Sequence, residues 1–188
     1  MNALSLALEL LQAWDRGELA PSISERHPDF DWDGAYAVSK ALISLRRARG
    51  EKTMGRKIGF TNRNIWPQYG ATSPIWHPVY DRTLVYAVDN KATLSLGGSC
   101  QPLIEPEIVF QLKTPPPLGC TDPAEMLKCI AWYAPGFEIV CCHYPNWKCT
   151  PAEFAADSSL HWRLVVGSPI PPPGSLDDLA SELAHCSV

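Results

Sequence analysis

Three glutamates lie in apolar segments, where an uncompensated charge is costly. Glu105 and Glu107 are two residues apart in the run IEPEIVF, so an extended strand directs both side chains to one face. Glu138 lies inside a second apolar run, GFEIVCC. Three carboxylates, with water or substrate completing the shell, suit a hard divalent ion such as Mg²⁺ or Mn²⁺. The sequence therefore predicts a metal site at these glutamates.

A second interpretation of Glu105 and Glu107 places them on an exposed edge strand. Pro106 lies between them and has no backbone N–H, and proline within sheets is confined to such edges and to bulges. On a solvated edge the two carboxylates need no ion. The spacing favours neither interpretation over the other.

Lys57 is the second candidate for chemistry. It lies in the run GRKIGFTNR, residues 55–63, which predicts a lysine in apolar surroundings. Such surroundings lower the pKa of a lysine and can make it a base near neutral pH. The alternative is a surface lysine whose stem is covered and whose charge reaches water.

The cysteines favour structural roles over metal binding. Cys141, Cys142, His143 and Cys149 carry zinc-binding groups, but adjacent cysteines lack the two-residue gap that lets one turn present two thiolates to an ion. The chain opens without a basic region, and its first apolar stretch contains Glu9. We therefore expect no signal peptide, no membrane span and reduced thiols in a cytoplasmic protein.

Composition limits both the fold and the partners. The 188 residues carry 16 Lys and Arg against 20 Asp and Glu, a net charge of -4, which argues against binding nucleic acid or an anionic membrane. Eighteen prolines and 12 glycines exclude a simple helical bundle. Mixed α and β structure is expected in a single domain-sized chain.

Periodicity places the elements around these residues. Apolar spacing predicts a helix over 3–16 and a second helix from Asp31 to Gly50, whose final turn holds a cluster of arginines that is interpreted as solvated rather than as an anion site. A third helix is expected after Asp122 and extends to Ala131, and a last one starts at Ser175 and carries Leu183. Apolar runs predict strands at Leu84 to Val88, Ile108 to Leu112, Phe137 to Cys141 and Leu164 to Gly167.

Taken in order, seven short motifs resemble the 2-keto-4-pentenoate hydratase branch of the fumarylacetoacetate hydrolase superfamily. They are GRKIGFTNR, QYG, the Pro-Ile-Trp segment, IEPEIVF, FEIV, AADSS and LVVG, and the resemblance as a whole covers nearly all of the chain. The resemblance implies an α+β fold with a mixed β-roll or sandwich. It also implies an N-terminal helical cap over residues 1–52 and a metal-binding, β-rich core over residues 53–188.

The resemblance assigns roles to individual residues. It makes Glu105, Glu107 and Glu138 the metal ligands, and Lys57 and Asp157 the catalytic residues. The chain departs from the hydratase pattern after Pro74, which is followed by Ile75 and Trp76, and after AADSS, where Leu160 and His161 replace an expected serine. The polar groups that could take over are Ser159, His161 and His77, and the first two are predicted to bind substrate.

The activity implied by the resemblance is that of a lyase. It is a divalent-metal-dependent hydratase acting on a 2-hydroxydienoate or 2-oxo acid from aromatic catabolism. The alternatives are a 2-oxo acid decarboxylase, a C–C bond hydrolase, or an inactive partner subunit. Family members continue beyond the position of Val188, so we expect a fragment, a shortened paralogue, or a chain that covers an open edge by forming a homo-oligomer or pairing with a decarboxylase-type relative.

Overall fold

A computed structural model of the chain describes residues 1–184; residues 185–188, the end of the predicted 53–188 core, lie outside the described part. Within it the α-helices are α1 (Ala3–Arg16), α2 (Ile23–Arg26), α3 (Trp32–Ala48), α4 (Trp66–Tyr69), α5 (Pro123–Lys128), α6 (Pro151–Ala156) and α7 (Leu176–Ala184). The strands are β1 (Thr53–Gly59), β2 (Ile75–Tyr80), β3 (Leu84–Tyr86), β4 (Pro102–Leu112), β5 (Ile130–Cys141) and β6 (His161–Val166). This combination of helices and sheets confirms the predicted α+β class.

Local sequence explains where the two long helices begin and end. The side chain of Asn2 accepts hydrogen bonds from the backbone N–H groups of Leu4 and Ser5 at the start of α1, and Asp31 caps α3 in the same way. Gly17 ends α1 with a φ of 64°, a conformation that glycine adopts without strain. Both helices match their predicted positions.

The helix after Asp122 is shorter than predicted. It ends at Lys128, and Ile130 and Ala131, which were expected on its apolar face, begin strand β5 instead. The segment from Ile130 to Tyr133 contains a β-branched residue and two aromatic residues, which favour a strand, and this preference explains where the helix ends. The helix starting after Ser175 is confirmed, and the side chain of its Leu183 is outside the described part.

The strands form two sheets. β1 and β2 pair antiparallel, with Lys57 opposite His77 and Ile58 opposite Trp76. The other four strands have the order β3-β6-β5-β4, so within residues 1–184 β4 is an edge strand. The edge position agrees with the second interpretation of the IEPEIVF segment, and Ile104 is 62% exposed.

The described chain forms two compact units. The first comprises Met1–Leu84, Leu94–Ile104 and Glu138–Leu164. Its core lies where α3 packs against α1 and α6, and it is filled by apolar side chains that include Leu6, Leu10, Val38, Leu42 and Phe154. Burying this continuous apolar surface is the main stabilising contribution to the unit.

The second unit comprises Val85–Thr93, Glu105–Phe137 and 165–184. Here α5 packs on α7, and the hydroxyl of Tyr133 donates a hydrogen bond to Glu182. The predicted division of the chain at residue 52 stays a prediction. Nowhere in the described part is a helix both long and apolar enough to cross a membrane.

Candidate active site

Glu138, on β5, is the centre of a buried polar cluster. Its side chain is 2% exposed, Oε1 lies 2.6 Å from Nδ1 of His161, and Oε2 lies 2.8 Å from Nζ of Lys57. Burial raises the pKa of Glu138, but the nearby Lys57 charge and the hydrogen bond from His161 outweigh burial and hold the pKa below its usual value. Glu138 is therefore a carboxylate, and its predicted burial is confirmed.

Lys57 reaches this carboxylate from β1. Its Nζ also donates a hydrogen bond of 3.0 Å to the backbone carbonyl of Ser159. The prediction of apolar surroundings for Lys57 is wrong, because its ammonium contacts a carboxylate and a carbonyl. Most of β1 is exposed, and the neighbouring Ile58 is 57% exposed. A two-stranded sheet has too few neighbours to cover both faces.

His161 is fully enclosed. Its Nδ1 faces Glu138, and its Nε2 lies 2.8 Å from Oγ1 of Thr83. Burial lowers the pKa of His161, although Glu138 opposes that effect. Both ring nitrogens therefore have polar partners within the protein, and Thr83 is a member of the cluster that sequence reasoning missed. No local motif marks Thr83, because its neighbours in the cluster are distant in sequence.

The turn before β6 has an unusual backbone. Ser158, Ser159 and Leu160 have φ values of 55°, 48° and 64°, a left-handed conformation that strains residues with a Cβ atom. The hydroxyls of Ser158 and Ser159 are buried and have no hydrogen-bond partner among residues 1–184. Strain and unpaired polar groups of this kind cluster at functional sites, and the turn supplies the carbonyl that Lys57 contacts.

Asp157 belongs to a different buried pair. Both of its carboxylate oxygens lie 2.9 Å from Nδ1 of His143, and Oδ2 also accepts a hydrogen bond from the His143 backbone N–H. Burial lowers the pKa of His143, but the charge of Asp157 and its hydrogen bond together outweigh burial and raise the pKa above its usual value. The structure therefore gives Asp157 a histidine partner that the sequence pattern did not indicate.

His77, on β2, lies opposite Lys57 in the β1–β2 register, but its own polar contacts are with other residues. It is fully buried, its Nδ1 is 3.2 Å from Oγ of Ser39, and its Nε2 is 3.5 Å from the Tyr80 hydroxyl. Burial, reinforced by the charges of nearby cationic side chains, lowers its pKa well below the usual value. His77 is thus a neutral buried imidazole with weak polar contacts.

Three carboxylates are the predicted metal ligands, and the structure gives each a different degree of burial. Glu138 is buried, Glu107 is half-buried and Glu105 is exposed. All three offer carboxylate oxygens, the donor atoms that hard divalent ions such as Mg²⁺ prefer. The chemistry of the donor set therefore fits a hard divalent ion.

The cysteine and arginine clusters differ from this site. Sγ of Cys142 and Sγ of Cys149 lie 3.9 Å apart, but within residues 1–184 no three of Cys141, Cys142, His143 and Cys149 come close enough to share an ion. The interpretation of the helix α3 arginines as solvated is wrong for Arg46. That residue is 1% exposed, its guanidinium pairs with Glu51 at 2.9 Å, and it stacks over the ring of Trp14 at 4.0 Å.

The fold is shared with a solved enzyme structure. The chain superposes on 4-oxalocrotonate decarboxylase from Pseudomonas putida complexed with magnesium and adipate, with a TM-score of 0.80 and 24% identity, covering 90% of this chain and 64% of that one. The same enzyme with calcium and acetate gives a TM-score of 0.75 at 23% identity, covering 90% of this chain and 63% of that one. These likenesses establish a shared fold.

Sequence relatives define the resemblance more closely. The 2-hydroxyhexa-2,4-dienoate hydratase of Comamonas testosteroni is 30% identical over 165 residues, 88% of this chain and 62% of that protein. A 2-keto-4-pentenoate hydratase of Paraburkholderia xenovorans is 28% identical over 169 residues, 89% of this chain and 62% of that protein. No family model matches the chain. The relatives confirm the predicted resemblance to these hydratases, and the chain spans about 62% of the length of these two.

Proposed function

We propose that the chain acts in the metal-dependent hydration of a 2-hydroxydienoate or related 2-oxo acid, as a lyase of aromatic catabolism. The observation that carries the proposal is the buried Glu138 carboxylate, one oxygen of which lies 2.8 Å from Nζ of Lys57 and the other 2.6 Å from Nδ1 of His161. The hydratase names of the relatives support the reaction. The finer assignments that follow belong to the same proposal.

Glu105, Glu107 and Glu138 would hold Mg²⁺ or Mn²⁺. Three carboxylates, the Lys57 ammonium and one divalent ion sum to zero charge if His161 is neutral, and its lowered pKa favours that form. Charge balance matters most at Glu138, which is buried, whereas Glu107 is half-buried and Glu105 is exposed. When bound, the ion would stabilise negative charge that develops on the substrate's 2-oxygen.

Lys57 would carry the proton. Hydration of a 2-hydroxydienoate moves the 2-hydroxyl proton to carbon and adds water across a remaining double bond. A side chain that transfers this proton must reach the substrate beside the metal carboxylates, and Nζ of Lys57 is already in contact with Glu138. Asp157 would act as the second catalytic residue, and Ser159 and His161 are the predicted substrate contacts.

The type of sheet, the location of the protein and its assembly complete the proposal. The sheet would be part of a β-roll or sandwich of the fumarylacetoacetate hydrolase type, in a cytoplasmic protein that binds a small 2-oxo acid. The exposed edge of β4 supports association into a homo-oligomer or with a decarboxylase-type relative, since an open strand edge offers unpaired backbone groups.

Decarboxylation is the second candidate. The 4-oxalocrotonate decarboxylase of a Pseudomonas species is 26% identical over 157 residues, 84% of this chain and 58% of that protein, and the superposed structures carry the same name. Both reactions place negative charge on the oxygen next to the substrate carboxylate. One metal site could therefore serve either reaction.

The test is turnover of two substrates by one purified chain. With 2-hydroxypenta-2,4-dienoate, we expect loss of the dienol absorbance in Mn²⁺ and none after EDTA treatment. With 4-oxalocrotonate, release of carbon dioxide would favour the decarboxylase. Hydration that persists in EDTA and in Glu107→Gln would refute a metal-dependent reaction. Calorimetry of Mn²⁺ binding separates a chain that binds the ion without turnover from a chain that does not bind the ion.

A further inference from the structure

We propose that His161 is a positioning residue, which orients the Glu138 carboxylate for the metal ion and is itself held by Thr83. The inference rests on the proposed metal site. It gives His161 a role other than the predicted contact with substrate, and it adds Thr83 to the residues that build the site.

The two oxygens of Glu138 have different partners. Oε1 lies 2.6 Å from Nδ1 of His161, and Oε2 lies 2.8 Å from Nζ of Lys57. Rotation of the carboxylate about its last bond would break both contacts. The plane of the carboxylate is therefore fixed before an ion binds.

The imidazole is fixed at its other end as well. Nε2 of His161 lies 2.8 Å from Oγ1 of Thr83, and Oγ1 also lies 2.9 Å from the Tyr80 carbonyl and 3.1 Å from the Tyr80 backbone nitrogen. Thr83 is fully buried. A flip of the His161 ring would exchange its nitrogens for carbons at both contacts, so the ring has one favourable orientation.

This enclosure leaves His161 no group for a substrate. Its side chain is 2% exposed, and both nitrogens already have partners within the protein. What the arrangement provides is a donor of fixed direction to a ligand carboxylate, the kind of outer contact that orients metal ligands and tunes their affinity. The role requires only a proton on Nδ1.

The experiment compares two substitutions of His161 by calorimetric titration with Mn²⁺. The amide nitrogen of asparagine lies near the position of Nδ1, so His161→Asn keeps a donor to Glu138, whereas His161→Phe keeps a ring and removes the donor. We expect the affinity of His161→Phe to fall about 10- to 100-fold, the usual effect of losing such a partner. His161→Asn should stay close to the unmodified chain, and Thr83→Ser should do so as well because it keeps the hydroxyl.

A core control separates positioning from general loosening. Leu42 is buried in helix α3 and has an apolar side chain, so it offers no polar group to the proposed metal site. Leu42→Ala should destabilise the fold while leaving Mn²⁺ affinity unchanged. Equal affinity in His161→Phe and the unmodified chain would overturn the inference, as would equal losses in His161→Asn and His161→Phe. An unmodified chain that binds no Mn²⁺ would instead refute the proposed metal site itself.

Discussion

Nζ of Lys57 lies 2.8 Å from Oε2 of Glu138, and this contact joins strand β1 to strand β5. The Lys57 side chain is 10% exposed and that of Glu138 is 2% exposed. A buried carboxylate thus has a protein cation beside it before any ion binds. The pair explains how a glutamate can be placed in an apolar strand without requiring the metal for folding.

Replacing Lys57 should destabilise the metal-free chain. Lys57→Met leaves Glu138 buried without its counter-charge, and breaking a buried pair in this way costs about 3–5 kcal/mol. Added Mn²⁺ should stabilise both chains by a similar amount if the variant keeps its metal affinity, so the difference between the two chains should persist. The measurement is urea unfolding of both chains with and without Mn²⁺.

Lys128→Met is the matched control for this experiment. Lys128 pairs with Glu125 at 2.6 Å, but the two side chains are 69% and 46% exposed, so solvent screens the pair and its loss should leave stability almost unchanged. If Lys57→Met were as stable as the control, the contact with Glu138 would contribute nothing to folding.

Lys57→Met should also slow turnover while leaving metal affinity nearly intact. Loss of a general acid or base lowers the rate by roughly 10² to 10⁴. The assay follows kcat and the exchange of the substrate C3 proton into deuterated water. Full exchange together with full turnover would move the proton-transfer role to another group, such as His77.

Glu107→Gln should weaken Mn²⁺ binding strongly, because it removes one charge from a shell of three carboxylates. Glu125→Gln removes the same charge from an exposed helix and should have no effect. Calorimetry of the two variants decides the matter. Unchanged affinity in Glu107→Gln would return β4 to the interpretation of a solvated edge strand.

Features determined by local sequence were predictable. Asp31 begins helix α3 because its side chain caps the first turn, and the burial of Glu138 follows from its apolar neighbours on β5. The partners of Glu138 were not predictable in the same way. Lys57 and His161 are 81 and 23 residues away in the chain, and only the pairing of distant elements brings them to one carboxylate.

Two errors of sequence interpretation have physical causes. A helix C-terminus favours an arginine whether that arginine is solvated or buried. The position of Arg46 in the last turn of α3 therefore did not reveal its buried pairing with Glu51. Ser158 and Ser159 adopt a left-handed backbone, but neither is a glycine, the residue type that indicates this conformation in a sequence. The surrounding contacts impose that conformation against the preference of the residues.

The buried pair of His143 and Asp157 predicts a specific pH dependence of folding. The pKa of His143 is raised in the folded chain, so its charged form stabilises the fold. That contribution is fully present below the unfolded value of about 6.5 and is lost as the pH rises through the higher folded value. The free energy of unfolding of the unmodified chain, measured relative to His143→Asn, should therefore be largest near pH 5.5 and should decline toward pH 9.

Removing Asp157 provides the sign test for this prediction. In an Asp157→Asn background the attraction that raises the pKa of His143 is gone and burial, which lowers it, remains. A depressed histidine pKa costs stability as the pH falls below about 6.5, so the contribution of His143 should reverse its pH dependence. Urea unfolding of the four chains between pH 5.5 and pH 9 measures both slopes. Slopes of the same sign in the two backgrounds would show that Asp157 does not control the protonation of His143.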